Sequence, residues 1–164
     1  MTPSDFIIRE IKPNDNIEIA QLIRSVLIEF GAPKTGTAFE DKATDKMYET
    51  YLNLTGHYYV IEYNGKIVGG AGYAKLEGTT KNICELQKMY LLPITRGKGL
   101  GSLLIKHCLN QAKRDGFEKC YLETMPFMIA AQTLYKKNGF KNLDNPMGNT
   151  GHYSCNVWMI KDLK

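Results

Sequence analysis

The strongest constraint in this sequence is Leu91-Leu92-Pro93-Ile94-Thr95-Arg96-Gly97-Lys98-Gly99-Leu100-Gly101-Ser102, where an apolar run stops and a helical pattern begins within a few residues. Three glycines at alternate positions let the backbone turn with its amides pointing inward and keep side chains out of the way. The helix that follows carries Leu100, Leu103, Leu104, Cys108 and Ala112 on one face and ends at Asp115-Gly116. Its first turn adds unpaired N–H groups and about half a positive charge. Turn and helix together form an anion site suited to a pyrophosphate, with Lys98 nearby. The plainer alternative is that the glycines only shape a tight strand-to-helix turn.

Two phosphate-binding architectures are disfavoured. No G-x-x-x-x-G-K-[ST] string exists, which argues against nucleoside triphosphate hydrolysis. Gly97, Gly99 and Ser102 come near a G-x-G-x-x-G fingerprint, with Glu123 at a suitable distance. Only 41 residues follow Glu123, however, too few for the further parallel strands of a dinucleotide fold.

The rest of the chain reads as one domain, residues 1–164, of mixed α/β type. Phe6 to Ile11 forms a strand, and Ile17, Ala20, Ile23, Leu27 and Phe30 recur at helical spacing up to Gly31. Ala32 to Phe39 reads as an exposed loop and Thr44 to Leu54 as a short helix. Tyr58–Glu62 and Lys66–Val68 flank Asn64-Gly65, the pair a type I′ hairpin turn favours. The second strand continues through Gly69-Gly70-Ala71-Gly72-Tyr73, small enough for another backbone to approach. Ile83 to Leu92 is a strand stopped by Pro93, and Lys119 to Glu123 is the next. A helix opening at Pro126 turns Phe127, Ala130, Ala131 and Leu134 inward. Strands Phe140–Leu143 and Tyr153–Ile160 close the order β-α-α-β-β-β-α-β-α-β-β, a mostly antiparallel central sheet flanked by helices.

Charge and cysteine content exclude other classes. The net charge of +4 comes from Lys and Arg spread along the chain, without a basic run or basic–aromatic stripe, so no nucleic acid is expected. No apolar stretch approaches the roughly 20 residues that span a bilayer, and no secretory leader is visible, so a cytoplasmic location and no membrane partner are expected. Cys84, Cys108, Cys120 and Cys155 show neither C-x-x-C nor zinc spacing, so no metal is expected. The first three sit in apolar patterns as small core residues, while Cys155 lies near a possible substrate loop.

Arg96-Gly97-Lys98-Gly99-Leu100-Gly101 resembles the R/Q-x-x-G-x-G/A signature of the GNAT superfamily of N-acetyltransferases. Ala131-Gln132-Thr133-Leu134-Tyr135-Lys136-Lys137-Asn138-Gly139-Phe140 is similar to that family's A-x-x-L-Y-x-x-x-G-F segment, and the element order agrees over most of the chain. The resemblance implies acetyl-CoA as co-substrate. Its pyrophosphate would lie on the amides of Gly97, Lys98, Gly99, Leu100, Gly101 and Ser102, with Arg96 opening the turn. Its pantetheine would run along Met89, Tyr90 and Leu91, where the strand splays from its neighbour and backbone groups polarise the thioester carbonyl. Tyr135 matches the position that protonates the departing thiolate, although a core aromatic role is the alternative. Met128 stands where many relatives carry an asparagine that contacts pantetheine, and methionine cannot reproduce that hydrogen bond.

The acceptor amine must lose a proton before it attacks, and a carboxylate takes it, directly or through water. Glu85 occupies a place where several family members carry such a base, on the same face as Gln87 and Met89 if the strand alternates regularly. A solvated carboxylate is its alternative, and Glu123 is a second candidate. The acceptor, a primary amine on a small molecule or peptide, is expected between the Ala32–Phe39 and Asp144–Gly151 loops, with His152 an acid/base candidate if it faces the cleft. A non-catalytic acetyl-CoA sensor and a nicotinamide-dependent oxidoreductase are the competing functions. The chain is expected to be a monomer or homodimer.

Overall fold

The structure, a computed structural model, describes residues 2–164. Its elements are β1 (Ile7–Glu10), α1 (Asn16–Glu29), α2 (Met47–Leu52), β2 (Gly56–Tyr63), β3 (Lys66–Lys75), β4 (Ile83–Leu91), α3 (Leu100–Arg114), β5 (Lys119–Thr124), α4 (Ile129–Lys137), β6 (Lys141–Leu143) and β7 (Val157–Asp162). The seven strands form one sheet in the order β1-β2-β3-β4-β5-β7-β6, antiparallel except between β4 and β5. This is the mixed, mostly antiparallel α/β fold expected.

Strand alternation sends side chains to two cores. Tyr59 and Ile61 of β2 join Leu100, Leu104, Ile105 and Cys108 of α3 on one face. Tyr58 and Val60 join Ile19, Ile23 and Leu27 of α1 and Met47 of α2 on the other. The β2–β3 hairpin turns at Asn64 and Gly65 with φ of 50° and 74°, as a type I′ turn requires. Cys84, Cys108 and Cys120 are buried free thiols. No helix among the described residues is long and apolar enough to cross a membrane.

Several local expectations are corrected. Leu103 is 49% exposed, and Ile105 and Leu109 complete the buried face of α3 instead. Helix α4 begins three residues after Pro126; a turn closed by the Met128 amide on the Met125 carbonyl (3.1 Å) precedes it and leaves Phe127 and Ala130 exposed. Tyr153 lies in a turn, with Cys155 N–H donating to the His152 carbonyl at 3.0 Å, so β7 starts only at Val157. Thr37 and Ala38 are buried within the loop read as exposed, where the Thr37 hydroxyl donates to the Pro33 carbonyl at 2.8 Å. The small residues of β3 mainly admit a side chain: a Cβ at Gly70 or Gly72 would meet the Tyr58 ring or hydroxyl at 2.6 Å. At Gly72 the His57 carbonyl also comes close, at 2.7 Å.

Candidate active site

Strand β4 pairs with β5 only at Ile83↔Lys119, Cys84↔Cys120 and Glu85↔Tyr121, then runs on to Leu91 without a partner on that side among the described residues. Along the same stretch it bulges against β3: Gln87 faces Gly72 while Tyr90 faces Gly70, so one extra residue fits between them. Lys88 takes φ +47° there. Its carbonyl accepts from the Tyr58 hydroxyl at 2.8 Å, which ties the bulge to the ring seated over Gly70 and Gly72. The extra residue reverses the faces beyond it. Met89 and Leu91 pack with the α3 core, while Tyr90 packs with the α1 core near Tyr51 and Tyr58. Met89 therefore does not share the face of Glu85 and Gln87; Tyr90 does.

After β4, Gly97 and Gly99 adopt φ of 72° and 75°, and Gly99 caps α3 in the left-handed region. A Cβ at either position would meet nothing within 4 Å, so both face open space. At Gly101 a Cβ would come within 2.8 Å of Leu134, which lets α3 begin tightly against α4. The Arg96 guanidinium is spent on the protein. It donates to the Leu91 carbonyl from Nε (3.1 Å) and Nη2 (2.8 Å), pairs with Glu29 and lies 5.0 Å above the Phe30 ring. It thereby fastens the turn to both β4 and α1, leaving anion contacts to the backbone.

A cleft of about 430 Å³ opens along this edge. It brings together Met89, Tyr90, Leu91, Arg96, Gly97, Gly99, Leu100, Gly101, Ser102 and Tyr135, and adds Met128 and Leu134 from the α4 side. Lys98 sits between the two glycines but is not part of this lining. The Ser102 hydroxyl accepts from the Asn138 side-chain amide at 3.0 Å, which links α3 to the end of α4. Tyr135 is buried edge-to-face with Phe140, centroids 6.0 Å apart. Burial, with the charge of nearby Cys155, pushes its phenol up to about 12, so it stays a neutral donor at ordinary pH.

Where β4 and β5 part, polar groups collect. Glu85 is 7% exposed and accepts from Gln87 Nε2 at 2.8 Å, while the Tyr51 hydroxyl donates to the Gln87 side-chain oxygen Oε1 at 2.5 Å. Burial drives the Glu85 carboxyl up to about 7; the Gln87 bond opposes this and the Glu123 charge adds to it. Glu123 is held by the Tyr121 hydroxyl (2.6 Å) and the Thr150 hydroxyl. Donor atoms of Glu85, Glu123 and His152 lie within 4.8 Å of one another, close enough for one ammonium group or metal ion to touch all three. His152 Nε2 stands 3.6 Å from Asp41, whose carboxyl also meets Lys88 Nζ at 2.9 Å. His152 and the Lys88 ammonium hold Asp41 well below the usual carboxylate range. His152 does not line this cleft; it belongs to a second, smaller one beside Glu123. The sequence carried no sign of Tyr51, Asp41 or Thr150, which arrive from distant segments.

A family model described as "Acetyltransferase (GNAT) family" matches residues 23–140, and the chain belongs to that family of acetyltransferases. It is 42% identical over 164 residues, 99% of this chain and 98% of the other, to an uncharacterized N-acetyltransferase, YjgM, of Escherichia coli K12. Among solved structures it is similar to a GNAT acetyltransferase of Staphylococcus aureus Mu50, with a TM-score of 0.85, 24% identity and coverage of 97% and 99%. It is also similar to yncA of Salmonella typhimurium, a putative acetyltransferase solved with its cofactor acetyl-CoA, with a TM-score of 0.76, 21% identity and coverage of 97% and 94%.

Proposed function

We propose that this chain transfers an acetyl group from acetyl-CoA to a primary amine, with Glu85 as general base and Tyr135 as general acid. The observation that carries the reading is the parting of β4 and β5 between a glycine turn open to an anion and a buried carboxylate of raised pKa. The cleft residues fit the donor. Amides from Gly97 to Ser102 at the start of α3 suit a pyrophosphate, and the open edge from Met89 to Leu91 suits an extended, amide-bearing arm. The relative solved with acetyl-CoA supports the same donor.

When bound, acetyl-CoA supplies an activated thioester. Glu85 takes a proton from the acceptor ammonium and so frees its lone pair; a base with a pKa near 7 is ionised at physiological pH yet still basic enough to do this. The Tyr135 hydroxyl donates to no protein acceptor among the described residues and remains free to protonate a departing thiolate. Apolar walls from Met128, Ala131 and Leu134 exclude water from the reacting atoms.

A thermal-shift comparison of acetyl-CoA, NAD and ATP, followed by measurement of thiol release with amine acceptors, tests this. Stabilisation by acetyl-CoA and thiol release that depends on an amine are expected. Stabilisation by NAD alone would return the dehydrogenase reading; acetyl-CoA binding without turnover would favour a sensor.

A further inference from the structure

A second cleft of about 280 Å³ lies under the 146–158 segment, and Cys155 in its wall is close enough to influence Tyr90 and Tyr135 of the donor cleft. Glu123 supplies its one carboxylate, Trp158, Tyr153 and Met147 its apolar surface, and Asn149 and Asn156 its neutral polar groups. Among the described residues that line it there is no Lys or Arg. The charged groups around its inner end are Glu85, Glu123 and Asp41, with His152 between them. Lys88 is bound to Asp41 at 2.9 Å and lies outside the lining. The volume lies just below the range of about 300–1,000 Å³ for small-molecule sites, which suits a small ligand.

From this wall we infer that the acceptor is a small primary amine without a carboxylate, its ammonium seated between Glu123 and Glu85 and its uncharged body against Trp158. The inference rests on the acetyl-transfer reading above. An ammonium donates three hydrogen bonds, and the two carboxylates and the His152 ring lie within reach of one such group. Both Glu123 oxygens already accept one bond, from Tyr121 and Thr150, which fixes the carboxylate while each oxygen keeps a further lone pair. An acceptor carboxylate would enter a wall that offers it no Lys or Arg and would face Glu123, a like-charge arrangement that costs affinity. Trp158 stands directly across β7 from Glu123 in the β5–β7 register, so a flat apolar body attached to the ammonium meets an aromatic surface.

Matched pairs that differ only by a carboxylate test this: tyramine against tyrosine, and phenethylamine against phenylalanine, with acetyl-CoA affinity measured separately by calorimetry. The decarboxylated member is expected to show a kcat/KM at least about 100-fold higher. Glu123→Gln should raise the KM for tyramine about 10- to 100-fold and leave acetyl-CoA affinity unchanged. It should also move the acid limb of kcat/KM downward, because Glu123 helps raise the Glu85 carboxyl. A purely structural role for Glu123 would not move that limb. Equal or better use of tyrosine, no turnover of any pair member by protein that binds acetyl-CoA, or activity lost to a chelator and restored by Zn²⁺ would each overturn the assignment. Failure to bind acetyl-CoA would instead overturn the reading beneath it.

Discussion

The two clefts are built in different ways. The first cleft, the proposed donor site, is made mostly from backbone and apolar surface: two left-handed glycines, the first turn of α3 and the unpaired edge of β4. The second cleft, the proposed acceptor site, is made from side chains on β5 and a loop, with Glu123 pinned by Tyr121 and Thr150 and His152 set against Asp41. A backbone site recognises what all donors of one kind share, and its specification is local in sequence. A side-chain site recognises one acceptor and can change with a few loop residues while the sheet stays the same.

Substitutions that act on one cleft alone would sharpen this contrast, and effects on both would break it. The largest is expected for Glu85→Gln, with kcat lowered about 10²- to 10⁴-fold and acetyl-CoA affinity within about twofold by calorimetry. In the parent protein the base is lost as pH falls through the Glu85 pKa, so kcat/KM should drop on the acid side with a midpoint near 7. A midpoint near 4.5 would show that burial does not govern this carboxyl. Tyr135→Phe should lower kcat about 10²-fold with the same preserved affinity. Gly99→Val forces a β-branched residue into φ +75° at a cost of about 1–3 kcal/mol. It should weaken acetyl-CoA about tenfold and leave the acid limb in place. The smallest effect is expected for Tyr58→Phe, which frees the Lys88 carbonyl at about 1 kcal/mol and lowers Tm by about 2–4 °C.

The same division explains what could be read from the sequence. The glycine turn, the Asn64-Gly65 hairpin and the element order follow from neighbours in the chain, and each was legible. Tyr135 was named from the resemblance of Ala131–Phe140 to the family's segment, and it lines the first cleft. The position of Met89 was misread because regular alternation was assumed, and no local pattern announces that Tyr58, thirty residues away, stabilises an extra residue at Lys88. The start of α4 was misread because Pro126 suits a first helical turn, whereas here the turn closed by Met125 and Met128 comes before the helix. Glu85 was named by its place, but the rise in its pKa comes from burial and from the charge of Glu123 on the neighbouring strand, with the Gln87 bond opposing it. These are tertiary contacts between polar residues that look, in sequence, like ordinary surface.

The parted strands have one more consequence. An unpaired strand edge is a liability on most proteins, because another chain can add to it and seed aggregation. Here the exposed edge of β4 beyond Glu85 is turned inward, between α3 and α4 on one side and the α1 face on the other, where a second polypeptide finds little room. An extended ligand lying in the notch would act as a missing strand of the sheet. Occupancy would then be coupled to folding by mass action, adding about 2.7 kcal/mol of stability at a concentration one hundred times the Kd. Between turnovers the molecule would carry an unpaired strand edge along a cleft rather than on its outer rim.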